Sequence, residues 1–82
     1  MTVVNVRPVE HLRLEVQFSD GLRGEVRFQE NHLFGVFEAL KNPDYFSKVT
    51  CADGFVAWPG DIDLAPDAMY DEIKKHGAWI LT

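Results

Sequence analysis

Cysteine is almost missing from this sequence: Cys51 stands alone among 82 residues. A single thiol closes no internal disulfide, so the support usual in small secreted domains is excluded and a reducing, cytoplasmic setting is expected. Long apolar runs are missing too. Nothing approaches the ~18 residues of a membrane-spanning helix or the charged-then-apolar opening of a secretory signal. Basic residues are scarce, with eight Lys and Arg against thirteen Asp and Glu and a formal charge of −5. That deficit argues against duplex nucleic acid as a direct ligand, because phosphate binding needs a surplus of cations. His11, His32 and His76 share no ligand spacing, and with a lone cysteine they form no local zinc motif. No metal or cofactor is expected. Repeats, low-complexity runs and linkers are absent as well. A chain of this size buries roughly 60% of its unfolded surface, so residues 1–82 are expected to form one domain without a large enclosed pocket.

What is present is patterned hydrophobicity. Leu12, Leu14, Val16 and Phe18 alternate with His11, Arg13, Glu15 and Gln17, the period of a half-buried strand. The same parity resumes at Leu22, Val26 and Phe28, with Arg23, Glu25 and Arg27 outward. Register fixes the loop between them. A two-residue loop at Asp20-Gly21 sets Phe18 opposite Arg23 and puts apolar side chains on both faces. A three-residue loop, Ser19 to Gly21, pairs Phe18 with Leu22, Val16 with Gly24, Leu14 with Val26 and Leu12 with Phe28, with Gly21 left-handed after a type I turn. On the solvated face, the diagonals Arg13 to Glu25 and Glu15 to Arg27 offset the like charges set directly opposite each other.

A second hairpin is expected around Asp53-Gly54, where a two-residue type I′ loop pairs Cys51 with Val56 and Val49 with Trp58. Val3, Val4 and Val6 predict a short strand before Pro8, which suits an edge or a strand end. Leu33, Phe37 and Leu40 recur at helical spacing, with Phe34 and Val36 alongside, until Asn42-Pro43 stops them. A second helix opens at Pro66, carries Met69, Tyr70 and Ile73, and ends at Gly77 with its acids early and Lys74, Lys75 and His76 late. Ala78 to Leu81 is either a last strand or a docking segment. The order β-β-β-α-β-β-α, with an optional final strand, predicts an α+β fold: an antiparallel sheet of two hairpins plus the N-terminal strand, with two short helices.

Candidate chemistry is sparse. Asp61, Asp63, Asp67 and Glu72 fall at calcium-loop positions 1, 3, 7 and 12, but Ala65 and Pro66 stand where that loop needs an oxygen ligand and a glycine. The acids read instead as a solvated stretch leading into a helix N-terminus. Gly21, Gly24 and Gly54 sit in hairpins, not in a strand-to-helix phosphate loop. Cys51 reads as a small core hydrophobe, with a tertiary Cys-His pair left open. No catalytic residue emerges. Phe55 and Trp79 fall outside the core parity and, if exposed together, form an apolar contact patch. The candidate interaction set is therefore Phe55, Trp58, Asp61, Asp63, Asp67 and Trp79. From it come three expectations: a basic protein partner at the acidic edge beside Trp58, self-association through Phe55 and the Trp79 tail, and, as the rival, a small hydrolase or ligand-binding cleft at Trp58, Asp61 and Asp63.

The opening valines, Leu14, Val16, Phe18, Asp20 and Gly21, the segment Phe37 to Leu40 with Phe46 and Val49, and above all the run from Val56 to Asp67 containing Trp58-Pro59 and Pro66-Asp67 resemble the bacterial domain-of-unknown-function family 2442. The resemblance spans about residues 3 to 71. It implies a compact α+β domain, found alone or joined to a helix-turn-helix, whose genes often neighbour those of another small family in pairs that look like toxin and antitoxin modules. It implies no catalytic residues. The ending from Ala78 to Thr82 departs from the family's usual shorter one.

Overall fold

The computed structural model describes residues 2–29, 33, 35–60 and 62–81, with Val36 by its backbone alone. Its first hairpin follows the alternation in the sequence. Strands β2 (Arg13–Phe18) and β3 (Arg23–Phe28) pair antiparallel with Leu14 opposite Val26 and Val16 opposite Gly24, the register of the three-residue loop. The Phe18 amide donates to the Leu22 carbonyl at 2.8 Å and the Gly21 amide to Phe18 at 2.9 Å. Gly21 sits at φ 93°, a conformation that a side chain makes costly.

The N-terminal strand is longer than its valines suggest. β1 (Val3–Glu10) runs through Pro8 and pairs antiparallel with β2 from Val3 opposite Phe18 to Glu10 opposite Arg13. Register shifts between Val3 and Asn5 and between Pro8 and Glu10 break its alternation, so period-two reading stops short. His11 and Leu12 thereby form the β1–β2 turn instead of opening β2. Leu12 adopts φ 67°, which costs a non-glycine residue about 1 kcal/mol. Packing of its side chain against the core offsets that cost.

The middle of the chain departs most from expectation. Gly35–Lys41 is a 3₁₀ helix, and Pro43, expected to stop a helix, begins one: α1 (Pro43–Phe46), capped by Asn42 Oδ1 accepting from the Asp44 amide at 2.9 Å. His32 and Phe34 lie outside the described residues. The expected second hairpin keeps its register but only as one bridge, Thr50 to Ala57. A type I′ turn needs positive φ at both central residues, and Asp53 is not in that region. The turn closes instead from Cys51 to Gly54, with an amide-to-carbonyl bond of 3.1 Å, while the Gly54 carbonyl accepts from Val3 at 2.8 Å. The loop is thus docked on β1. Trp58 finds another neighbour: β4 (Ala57–Trp58) pairs with β5 (Ile62–Asp63) in a separate two-stranded sheet, with Trp58 opposite Ile62.

Helix α2 (Pro66–His76) begins at the expected proline and ends at Gly77, φ 78°. β6 (Ala78–Leu81) then lies parallel to β3, so the tail is a strand. The main sheet has the order β1-β2-β3-β6 and is mixed, not wholly antiparallel, because β6 runs parallel to β3; the second hairpin does not join it. The α+β class stands. One sheet face carries Leu14, Val16, Phe18, Val26 and Phe28 into a core shared with Met69 and Ile73 of α2 and with Leu40, Phe46, Val56 and Trp58. Phe28, Phe46 and Trp58 meet with ring centroids 5.8 to 5.9 Å apart.

Trp58 is held by more than apolar contact, since its indole N–H donates to the Phe46 carbonyl at 2.9 Å in a buried setting. That carbonyl closes α1 and has no later helical turn to bond. Trp58→Phe is expected to lower stability by about 2 kcal/mol through the unpaired carbonyl and the lost ring volume. Urea unfolding, with an unchanged slope and a lower midpoint, checks this.

Candidate interaction surfaces

The acidic edge is built by β5 and the start of α2. In the β4–β5 pair, Trp58 and Ile62 turn inward and are buried, while Asp63, paired with Ala57, is exposed. Asp67 and Asp71 are exposed on α2. Asp61 lies outside the described residues. Trp58 therefore supports the edge from below without reaching its surface. Trp58 and Asp63 face opposite sides of one strand pair, so they do not line a common cleft of the kind a hydrolase reading requires.

Phe55 and Trp79 are separated rather than joined. Phe55 follows the loop docked on β1, and Trp79 lies in β6 at the opposite edge of the sheet. Both are half-buried. The large apolar residues exposed among those described are Val4, Val9 and Ile80, two of them beside the irregularities of β1 and one on β6.

A second surface was only partly legible in the sequence. The outer face of the main sheet carries Asn5, Arg7 and Glu10 from β1, Arg13, Glu15 and Gln17 from β2, and Arg23, Glu25 and Arg27 from β3. All four arginines of the chain lie here. The expected Arg13 to Glu25 diagonal forms, at 2.7 and 3.1 Å, and Arg13 also reaches Glu10 at 2.7 Å. The Glu15 to Arg27 diagonal does not. Arg27 bonds Glu25 on its own strand at 3.2 Å, and Glu15 is taken at 3.1 Å by Arg7, which stands directly opposite it in the β1–β2 register. Hydrogen bonds from Arg13, then Arg27, hold the Glu25 carboxyl below the usual carboxylate range, and those to Glu10 and Glu25 raise the Arg13 guanidinium further. Arg23 makes no ion pair among the described residues. It lines a hollow of about 270 Å³ with Asn5, Arg7, Glu15, Val16 and Gln17.

His11, His76 and Cys51 each have neighbours in the fold. His11 is within 3.0 Å of the Leu40 carbonyl through Nε2 and sits edge-on to Phe46 at 5.7 Å, tying the β1–β2 turn to the 3₁₀ helix. His76 lies 3.5 Å from Glu72 one helical turn earlier. Cys51 is half-buried against the core. Among the described residues no three His, Cys, Asp or Glu side chains converge to hold a metal ion. No helix among them is long and apolar enough to cross a membrane.

A contact that local patterns did not show joins the first hairpin to α2. Tyr70 donates its hydroxyl to Asp20 Oδ2 at 2.5 Å, and its ring meets Phe18 edge-on at 5.0 Å. The Tyr70 hydroxyl first, and the Leu22 amide second, hold Asp20 below its ordinary pKa. A carboxyl depressed by folding contributes stability above its unfolded pKa and loses it as pH falls through the folded value. Tyr70→Phe is expected to raise the Asp20 pKa toward the ordinary range. The stability gap between wild type and variant should be widest near neutral pH and shrink on acidification. Carbon-detected titration of Asp20, with denaturation at several pH values, checks both.

No curated protein and no solved structure matches this chain. A family model does, over residues 3–75, a span that takes in all the elements through most of α2 and stops before β6. By that match the chain belongs to the family described as protein of unknown function (DUF2442).

Proposed function

We propose that this chain is a non-enzymatic protein-interaction module of the cytoplasm whose acidic surface receives a basic protein, as the acidic member of a toxin-antitoxin-like pair. Segregation of charge is the observation that carries this reading. Among the described residues, the outer sheet face gathers four of the eight basic residues with only three of eleven acids, leaving eight acids and four lysines for the rest. Away from that face the described acids outnumber the bases two to one. Asp63, Asp67 and Asp71 lie exposed on this acidic remainder. Such a surface steers and selects a basic partner. Three of the four arginines are already engaged by glutamates, which makes the sheet face a poor cradle for phosphate. The gene pairing implied by the family resemblance supports a neighbour-encoded partner.

Co-expression with the product of the adjacent gene tests the reading. The expected result is a co-purifying complex that dissociates as salt rises and a growth defect from the partner alone that this chain relieves. Reversing Asp63 and Asp67 to lysine should weaken the complex by about tenfold, equivalent to about 1.4 kcal/mol. Absence of both complex and growth effect contradicts the proposal.

A further inference from the structure

The main sheet has two edges, and they are built differently. β1 is blunted: Pro8 removes an amide donor, two register shifts bend the strand, and Arg7 and Glu10 add charge. β6 has none of these devices. Ala78, Trp79, Ile80 and Leu81 carry no charge, proline or glycine, and Ile80 is 49% exposed. A hollow of about 270 Å³ runs along this edge, lined by Glu72, His76, Ala78, Trp79 and Ile80.

The backbone of β6 has a definite polarity. The carbonyls of Gly77 and Leu81 accept from the amides of Glu25 and Gln29, at 3.4 and 3.0 Å, and so point toward β3. With the two-residue period of a strand, the amides and carbonyls of Ala78 and Ile80 point away from the sheet. Those two residues form the open ladder.

We propose that β6 pairs antiparallel with β6 of a second copy about a two-fold axis through Trp79, joining the two four-stranded sheets into one. The register follows from the backbone. An axis at Trp79 sets Ala78 opposite Ile80 of the other copy and Ile80 opposite its Ala78. Each is a hydrogen-bonded pair in which both outward groups are used on both sides. An axis at Ala78 or Ile80 gives only one of the two a partner within β6. Trp79 then faces Trp79 across the axis as a non-hydrogen-bonded pair, where side chains come closest.

Charge points to a second copy rather than to a foreign strand. Along β3, Glu25 stands beside Ala78 and Arg27 beside Ile80. Pairing through Trp79 puts Arg27, Ile80, Ala78 and Glu25 in a single row across the junction, the first two from one copy and the last two from the other. Both junction rows therefore carry one cation and one anion, and neither sets like charges toward each other. The uncharged strand itself offers nothing by which to select a charged partner, but it matches itself. The proposed acidic surface at Asp63 and Asp67 lies off this edge, so the two readings fail separately.

Sedimentation of the full chain over 1 to 500 µM, in wild type and in two Ile80 variants, tests the proposal. Ile80→Lys places a charge in the junction, and Ile80→Pro removes the outward amide while leaving the β3 side of the strand intact. The expected result is a reversible wild-type dimer, weakened at least tenfold in both variants, with circular dichroism and melting close to wild type. In a Cys51→Ser background, Trp79→Cys should oxidise to a disulfide-linked dimer while Val4→Cys, on the other edge, does not. A wild-type monomer at 500 µM, or a dimer that neither Ile80 variant weakens, overturns it. So does equal cross-linking at both edges, or pairing of β6 only with another protein's strand.

Discussion

Everything on the C-terminal side of this molecule depends on how closely α2 approaches β3. At Gly24 there is no room for a side chain: a Cβ would stand 2.4 Å from Ile73 Cγ2 and 2.8 Å from the Gly77 carbonyl oxygen. The missing Cβ lets Ile73 lie on the sheet, opposite Val16 across the hairpin. It also brings the end of α2 to the level of Glu25, whose amide reaches the Gly77 carbonyl. Gly77 turns the chain in the left-handed conformation, and β6 has only one place to go: alongside β3 and parallel to it. The Tyr70 to Asp20 bond fixes the same helix to the far end of the hairpin. One glycine on β3 thus decides the helix position, the fourth strand and which strand forms the sheet's second edge.

The same arrangement divides the surface by charge. Because α2 and the 40–60 region cover one face of the sheet, the arginines of β1, β2 and β3 are gathered on the other. There they are largely neutralised by glutamates of the same three strands. Among the described residues, the acids left over lie on the 3₁₀ helix, α1, β5, α2 and the loops. A domain with few bases to spare has spent half of them on a self-contained ladder. Its remaining described surface carries twice as many acids as bases, and this underlies the proposal of a basic partner.

How much of this is readable in the residues depends on how local the deciding interaction is. The first hairpin was legible because only one loop length keeps every apolar side chain on one face, and α2 because proline, dipole-matched charges and glycine mark both ends. The irregularities of β1 break the alternation on which strand recognition depends and hide its register on β2, and with it the Arg7 to Glu15 bond. The Asp53-Gly54 turn has the right residues for a tight hairpin, yet the Gly54 carbonyl bonds Val3 and the chain pairs onward with Ile62 and Asp63. A two-residue strand leaves no periodic signal. Parallel pairing of β6 is a tertiary fact fixed by Gly24, and the tail alone fits a strand or a docking segment equally well. Among the candidate site residues, Asp63 and Asp67 were recognisable as exposed acids. The burial of Trp58 and the separation of Phe55 from Trp79 depend on elements that pair over long sequence distances.

Amide hydrogen exchange in wild type and Gly24→Ala tests the central claim, that the approach at Gly24 holds β6 in the sheet. Two neighbouring amides report on different partners: Phe28 donates to Leu12 in the β1–β2 turn, and Gln29 donates to Leu81 of β6. The variant is expected to lose protection at Gln29 by about tenfold or more while Phe28 changes little, as for opening of a separate unit. Equal loss at both amides, or none at Gln29, would contradict it.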